Sequence, residues 1–266
     1  MRIIILSAAT GGGHLRASHA IESYLLENTT DVEVKVVDAL KVISPILDKT
    51  ICEGYHFLAT KTPKMFGILY QKTNEETPLA QVVPKFNGLF SQKLLPLLSD
   101  YRPDVIIATH PFATEMVSHL KEKNLVRAPL ICIMTDYGPH KAWISENVDA
   151  YIVSSEDMVP EMAAMGVRPE IVYPFGIPVH DVFFNKADKA AQLRELGLDP
   201  KLLTVLIMAG SFGVTNILQI YNEVVGIDLP FQVIVITGRN QKLYETFESE
   251  IRDSRIRGGE NAKKTK

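Results

Sequence analysis

Short apolar runs that each break off into a polar cluster recur along this chain, and they leave it few folds to choose from. Residues 3–6, 32–37, 104–108, 130–134, 150–153 and 171–173 read as strands, being brief and mostly rich in β-branched side chains. Helical stretches lie between most of them, such as 115–123 and 157–165. Strands that alternate with helices predict an α/β architecture, a parallel sheet covered by helices on both faces. In such a sheet ligands gather beyond the carboxyl ends of the strands. Residues 10–14, Asp38, residues 109–111, 135–137 and 154–156 all follow a strand end directly. Polar clusters shared by one rim predict a cleft there.

The first of these clusters is the richest in chemistry. Ile3, Ile4, Ile5 and Leu6 give way to Ser7, Ala8, Ala9, Thr10, Gly11, Gly12 and Gly13, and then His14. A helix is expected next, because Ala17, Ala20, Ile21, Tyr24 and Leu25 repeat at helical spacing and predict a buried stripe. Consecutive glycines let a backbone approach a ligand and turn its N–H groups toward it, at the positive end of the helix dipole. His14 stands at the mouth of that turn, a group able to change charge near neutral pH. It is a candidate base; the plainer alternative is a cap on the helix or the glycine loop.

Composition narrows the function classes. A chain of 266 residues builds one large domain or two ordinary ones. Its net charge of −3 gives no basis for general nucleic-acid binding. Cys52 and Cys132 are far apart and belong to no Cys-x-x-Cys pair, which suits a reducing cytoplasm. The first residues read as a core strand rather than a signal peptide. No apolar run approaches the length of a membrane span, so a chain of this kind meets a membrane by lying on it. Residues 41–93 mix lysines with Tyr55, Phe57, Phe66, Tyr70, Phe86 and Phe90. That mixture fits an interfacial segment on anionic lipid, and equally a helical cap with a solvated lysine face.

The texture changes after Phe175. We read residues 1–180 as a first domain and 181–200 as a connection with a helix-prone stretch at 186–196. Alternation restarts with strands at 203–208 and 232–236 and helices at 215–225 and from 241 to about 251. Gly210, Ser211, Phe212 and Gly213 form a second glycine turn, and Thr237, Gly238, Arg239 and Asn240 close the next strand. Residues 201–251 therefore read as a partial second domain, truncated or completed from outside this chain. Residues 252–266 are charged, nearly without apolar side chains, and expected to be disordered.

These motifs together resemble the monogalactosyldiacylglycerol synthase and processive diacylglycerol beta-glucosyltransferase family. The resemblance rests on residues 9–14, on Thr135, Asp136 and Tyr137 with His140 and Trp143, on Gly176, Ile177 and Pro178, and on residues 208–213 and 237–240. It implies a GT-B fold of two Rossmann-like domains with parallel sheets, the second incomplete here. It also implies a glycosyltransferase of glycolipid biosynthesis, moving a hexose from UDP-glucose or UDP-galactose to diacylglycerol with inversion and without a metal or other cofactor. Partners would be UDP-sugar, diacylglycerol and an anionic membrane surface, at the cytoplasmic face. The alternatives are a non-catalytic lipid-surface module and another GT-B transferase, such as a peptidoglycan-precursor enzyme.

By resemblance His14 is the base that takes the acceptor's proton. Asp136 is expected either to orient His14 or to accept backbone N–H groups in its own turn. Gly11, Gly12, Gly13, His110, His140 and Trp143 are assigned to the acceptor side, with core packing the plain alternative for Trp143. Gly210, Ser211, Phe212, Gly213, Arg239 and Asn240 are assigned to the donor, where a helix N-terminus can hold a diphosphate. Asp136 and His140 lack a third partner at metal-ligand spacing, so no metal site is expected.

Overall fold

The computed structural model describes residues 1–9, 12–44, 90–208, 216–238 and 240–256, with side chains as far as residue 250. The chain divides into two compact units, Met1–Phe183 and Phe184–Lys266.

The first unit is built on one sheet. Its strands are β1 (Arg2–Ser7), β2 (Glu33–Asp38), β3 (Val105–Ala108), β4 (Leu130–Ile133), β5 (Ala150–Ile152) and β6 (Val172–Tyr173). They run parallel throughout in the order β2-β1-β3-β4-β5-β6. Among the described residues its helices are α1 (Gly13–Asn28), α2 (Ala39–Ile43), α3 (Leu95–Tyr101), α4 (Pro111–Glu122) and α5 (Met158–Ala164).

The opening apolar run explains why β1 lies inside this sheet. Side chains alternate across a strand, so a run that is apolar at every position needs cover on both faces. Ile4 and Leu6 enter one core cluster, with Met116 and Leu120 of α4 and Met158 and Met162 of α5. Ile3 and Ile5 enter the other, against Ile21 and Leu25 of α1. Each such side chain contributes about 1.5–3 kcal/mol on full burial.

Two expectations about the first unit are corrected here. Tyr24 was expected on the buried stripe of α1 but is two-thirds exposed (66%); Ala17, Ser18 and Ala20 form the buried face. The 115–123 helix begins earlier, at Pro111. Proline lacks an N–H and suits the first helical position, so the chain turns helical as soon as His110 supplies a cap.

The second unit holds α6 (Lys189–Glu195), β7 (Leu203–Met208), α7 (Ile217–Val225), β8 (Phe231–Ile236) and α8 (Gln241–Ile256). β7 and β8 pair in parallel. Ile207, Ile217 and Phe247 form their core, with the Tyr221 ring edge-on to Phe247 at 5.1 Å. α8 runs to Ile256, so residues 252–256 are helical where disorder was expected. Among the described residues, no helix is long and apolar enough to cross a membrane.

Candidate active site

β1 has β2 on one side and β3 on the other, so the strand order reverses between β1 and β3. At such a switch point the following helices leave for opposite faces and open a crevice at the strand ends. Here α1 packs on one face and α4 on the other. The residues just after β1, β3 and β4 converge there.

His14 comes from the first turn of α1. Gly12 is the N-cap, with φ of −100°, and a Cβ at Gly13 would meet nothing within 4 Å. This end of the helix is bare, and His14 is the first side chain along it. Its ring is half-buried and held by Nδ1, which lies 2.8 Å from the Thr109 carbonyl oxygen and 2.9 Å from Thr135 Oγ1. A carbonyl oxygen only accepts, so Nδ1 carries the proton and donates to Thr109. In a neutral imidazole that leaves the lone pair on Nε2. Burial lowers the pKa of His14 below its ordinary value, against the upward pull of the Thr109 carbonyl and the Asp136 charge. At neutral pH the ring is therefore a neutral base with a fixed tautomer.

Thr109 is fixed in turn by hydroxyls. Its Oγ1 donates to Ser7 Oγ at 2.9 Å and lies 2.8 Å from Ser18 Oγ, which donates to the His14 carbonyl at 3.0 Å. Ser7, Ser18 and Thr109 are all fully buried. Buried hydroxyls satisfied by one another hold the ends of β1 and β3 against α1.

Asp136 lies in the turn after β4, next to Thr135. Its Oδ2 accepts the indole N–H of Trp143 at 2.7 Å, and its charge reaches His14 through space. Trp143 is buried, with its ring centroid 5.9 Å from that of His14. It is both packing and neighbour of the site. His110 is also buried, and its ring meets His14 at 4.6 Å and 70°. His110 Nδ1 accepts the Phe112 N–H at the start of α4. His140 repeats that device: buried, it accepts the Ala142 N–H at 3.0 Å and starts the short 3-10 turn Lys141–Trp143.

The structure thus brings together His14, His110, Asp136 and Trp143, and adds Thr109, Thr135, Ser7 and Ser18. The added residues contribute through a main-chain carbonyl and small hydroxyls, which carry no sequence signal beyond their place after a strand. Of the residues expected to meet the donor, Asn240 has its Oδ1 accepting the Leu243 N–H and caps α8. Gly11, Gly210, Ser211, Phe212, Gly213 and Arg239 lie outside the described residues, as does most of the lysine- and aromatic-rich segment, 45–89. Among the described residues no three His, Cys, Asp or Glu side chains gather as metal ligands.

Residues 14–179 match the profile of the family described as monogalactosyldiacylglycerol (MGDG) synthase. A processive diacylglycerol beta-glucosyltransferase of Staphylococcus saprophyticus is 30% identical over 255 residues, 95% of this chain and 63% of its own length. The protein of the same name from Staphylococcus aureus is 27% identical over 257 residues, 95% of this chain and 64% of its own. The chain spans about 63% of the length of the curated relatives it matches. Among solved structures, MurG of Acinetobacter baumannii aligns with a TM-score of 0.50 and 11% identity, over 93% of this chain and 63% of that one. MnaA of Staphylococcus aureus, solved with UDP, aligns at 0.51 and 11% identity, over 93% and 65%. These likenesses show the fold, the GT-B class expected from the sequence.

Proposed function

The chain belongs to the monogalactosyldiacylglycerol synthase family, and we propose that it forms the acceptor side of a hexosyltransferase acting on diacylglycerol. The observation that carries this reading is His14, a neutral imidazole whose Nδ1 proton is tied to the Thr109 carbonyl and whose Nε2 bears the lone pair. A lipid hydroxyl is a poor nucleophile at neutral pH. A base of slightly lowered pKa, fixed at a cleft where two helices diverge, removes its proton as the bond to the sugar forms. The donor is a UDP-sugar, and a single displacement inverts the anomeric carbon. The relatives named as beta-glucosyltransferases support glucose as the hexose. Because diacylglycerol resides in bilayers, the protein works at a membrane surface, on the cytoplasmic side where nucleotide sugars are available. Asn240 and residues 210–213 belong to the donor side of the same reaction.

The test is transfer of labelled hexose from UDP-glucose or UDP-galactose to diacylglycerol vesicles by the protein. His14→Ala is expected to lower turnover by about 10²–10⁴-fold with folding intact. Near-normal turnover removes His14 from the mechanism. Preference for a lipid-linked muropeptide over diacylglycerol as acceptor replaces the substrate assignment.

A further inference from the structure

The residue packed against the His14 ring is itself a histidine, and its position is hard to explain by capping alone. His110 is the N-cap of α4. With Pro111 lacking an N–H, the first donor of the helix is Phe112, and His110 Nδ1 accepts it at 3.2 Å. Asn, Asp or Ser caps a helix at least as well. None of these small side chains, however, would reach the His14 ring and cover it. We propose that His110 is a positioning residue for His14: its capped, neutral ring packs against the imidazole of His14, excludes water from that side and holds it in the tautomer that presents Nε2.

The geometry supports this from both sides. Thr109 and His110 are consecutive, so one short stretch after β3 supplies the carbonyl that anchors His14 Nδ1 and the ring that buttresses it. His110 is only 4% exposed. Accepting from Phe112 commits its Nδ1 lone pair, which places its own proton on Nε2. Protonating Nδ1 would set two N–H groups against each other at the positive end of a helix. Burial first, and then His14, hold the His110 pKa well below the ordinary value.

The other groups facing this pair do not take over the role. Asp136 approaches His14 from the turn after β4 as a charge, and Thr135 from the same turn as a hydroxyl. Trp143 brings an indole without a titrating group. On α1 itself, Arg16 and His19 are exposed, and His19 pairs with Glu22. On the other side of His110, Thr114 bonds Cys132, whose thiol burial pushes up to about 12, so it remains uncharged. Among the described residues the His110 ring lies nearer to His14 than the Trp143 indole does, 4.6 Å against 5.9 Å between centroids.

The proposal rests on the reading of His14 as the base, and it is tested without turnover. Side-chain ¹⁵N spectra of the 266-residue chain report the tautomer and protonation of each histidine. In the wild type, His14 is expected as the Nδ1–H form and His110 as the Nε2–H form, with His110 neutral at pH values where exposed histidines are charged. In His110→Asn the cap is retained and the ring is lost. The protonated-to-neutral ratio of His14 at fixed pH should then rise about five- to tenfold as water reaches it. An unchanged ratio and tautomer in His110→Asn overturns the proposal. If that variant fails to fold, the wild-type spectra decide: His110 found as Nδ1–H, or titrating like an exposed histidine, overturns it equally. Should His14→Ala retain transfer, the base assignment fails while the spectroscopic result on the pair stands by itself.

Discussion

Acidification should weaken the first unit chiefly through one buried ring. His110 does not take up a proton in the folded state at pH values where the unfolded chain does, because burial and the neighbouring His14 hold its pKa well below 6.5. The unfolded state therefore binds more protons, and stability falls as pH drops below the unfolded value. The slope for one such group approaches about 1.4 kcal/mol per pH unit. If His110 stays neutral in the fold throughout, the loss between pH 7 and pH 5 reaches a ceiling of about 2 kcal/mol. His14, with a smaller depression, adds to the loss in the same direction. The assay is urea unfolding at pH 7, 6 and 5, followed by tryptophan emission. Trp143 is the only tryptophan and is buried in the first unit, so the signal reports on that unit. His110→Asn keeps the cap and cannot titrate, so any constant offset cancels when the two pH dependences are subtracted. The wild type is expected to lose about 2 kcal/mol more than the variant over this window from His110 alone, and further through the His14 depression that the variant relieves. Parallel curves for the two proteins refute the reasoning, whatever their absolute stabilities.

Asp136→Asn separates a through-space effect from a hydrogen-bonded one. Asn retains an acceptor for the Trp143 indole and removes the charge that raises the His14 pKa, so the neutral share of His14 at pH 6 should increase in side-chain ¹⁵N spectra. Turnover of the variant should fall less than about tenfold, far short of the roughly 10⁴-fold loss when a carboxylate that fixes a catalytic tautomer is replaced. Gly176→Ala tests the backbone after β6, where φ is +91° and the N–H donates to the Val153 carbonyl at 2.9 Å. An added Cβ meets nothing within 4 Å there, so the cost is conformational alone, about 1–2 kcal/mol in urea unfolding.

The parallel sheet was legible because burial on both faces leaves few polar positions in its inner strands, while the edge strand β2 keeps Glu33 and Lys35 exposed. The run from Ile3 to Leu6 cannot be an amphipathic edge, and its four side chains divide between the two core clusters. Strand ends were legible because each polar cluster begins where the apolar run stops, even where its first members, such as Thr109 and His110, are buried. Helix limits were less so. α4 begins at Pro111 because a histidine caps it, and histidine is not among the usual N-cap signals. α8 continues to Ile256 through residues whose charge suggested disorder, since an established helix is extended at little cost per residue. Tyr24 shows that spacing alone overstates the buried stripe: α1 presents Ala17, Ser18 and Ala20, with Ile21 and Leu25, to the sheet, and Tyr24 falls outside that face.

His14 was visible from its place after the first strand, but its anchor was not. The familiar pattern, a carboxylate that fixes an imidazole, directed attention to Asp136. In this fold the Nδ1 proton goes to a main-chain carbonyl, a group present at every residue and so invisible to composition or motif. The difference has a chemical consequence. A carboxylate bonded to Nδ1 stabilises the imidazolium directly and raises its pKa. A carbonyl fixes the same tautomer with a smaller upward pull, so burial outweighs it and the ring remains neutral. Placing Asp136 on the Trp143 indole instead keeps a negative charge near enough to favour proton uptake during a reaction, without committing the resting histidine to the charged form. An acceptor hydroxyl that must lose its proton to Nε2 is better served by that division of labour than by a permanently protonated imidazole.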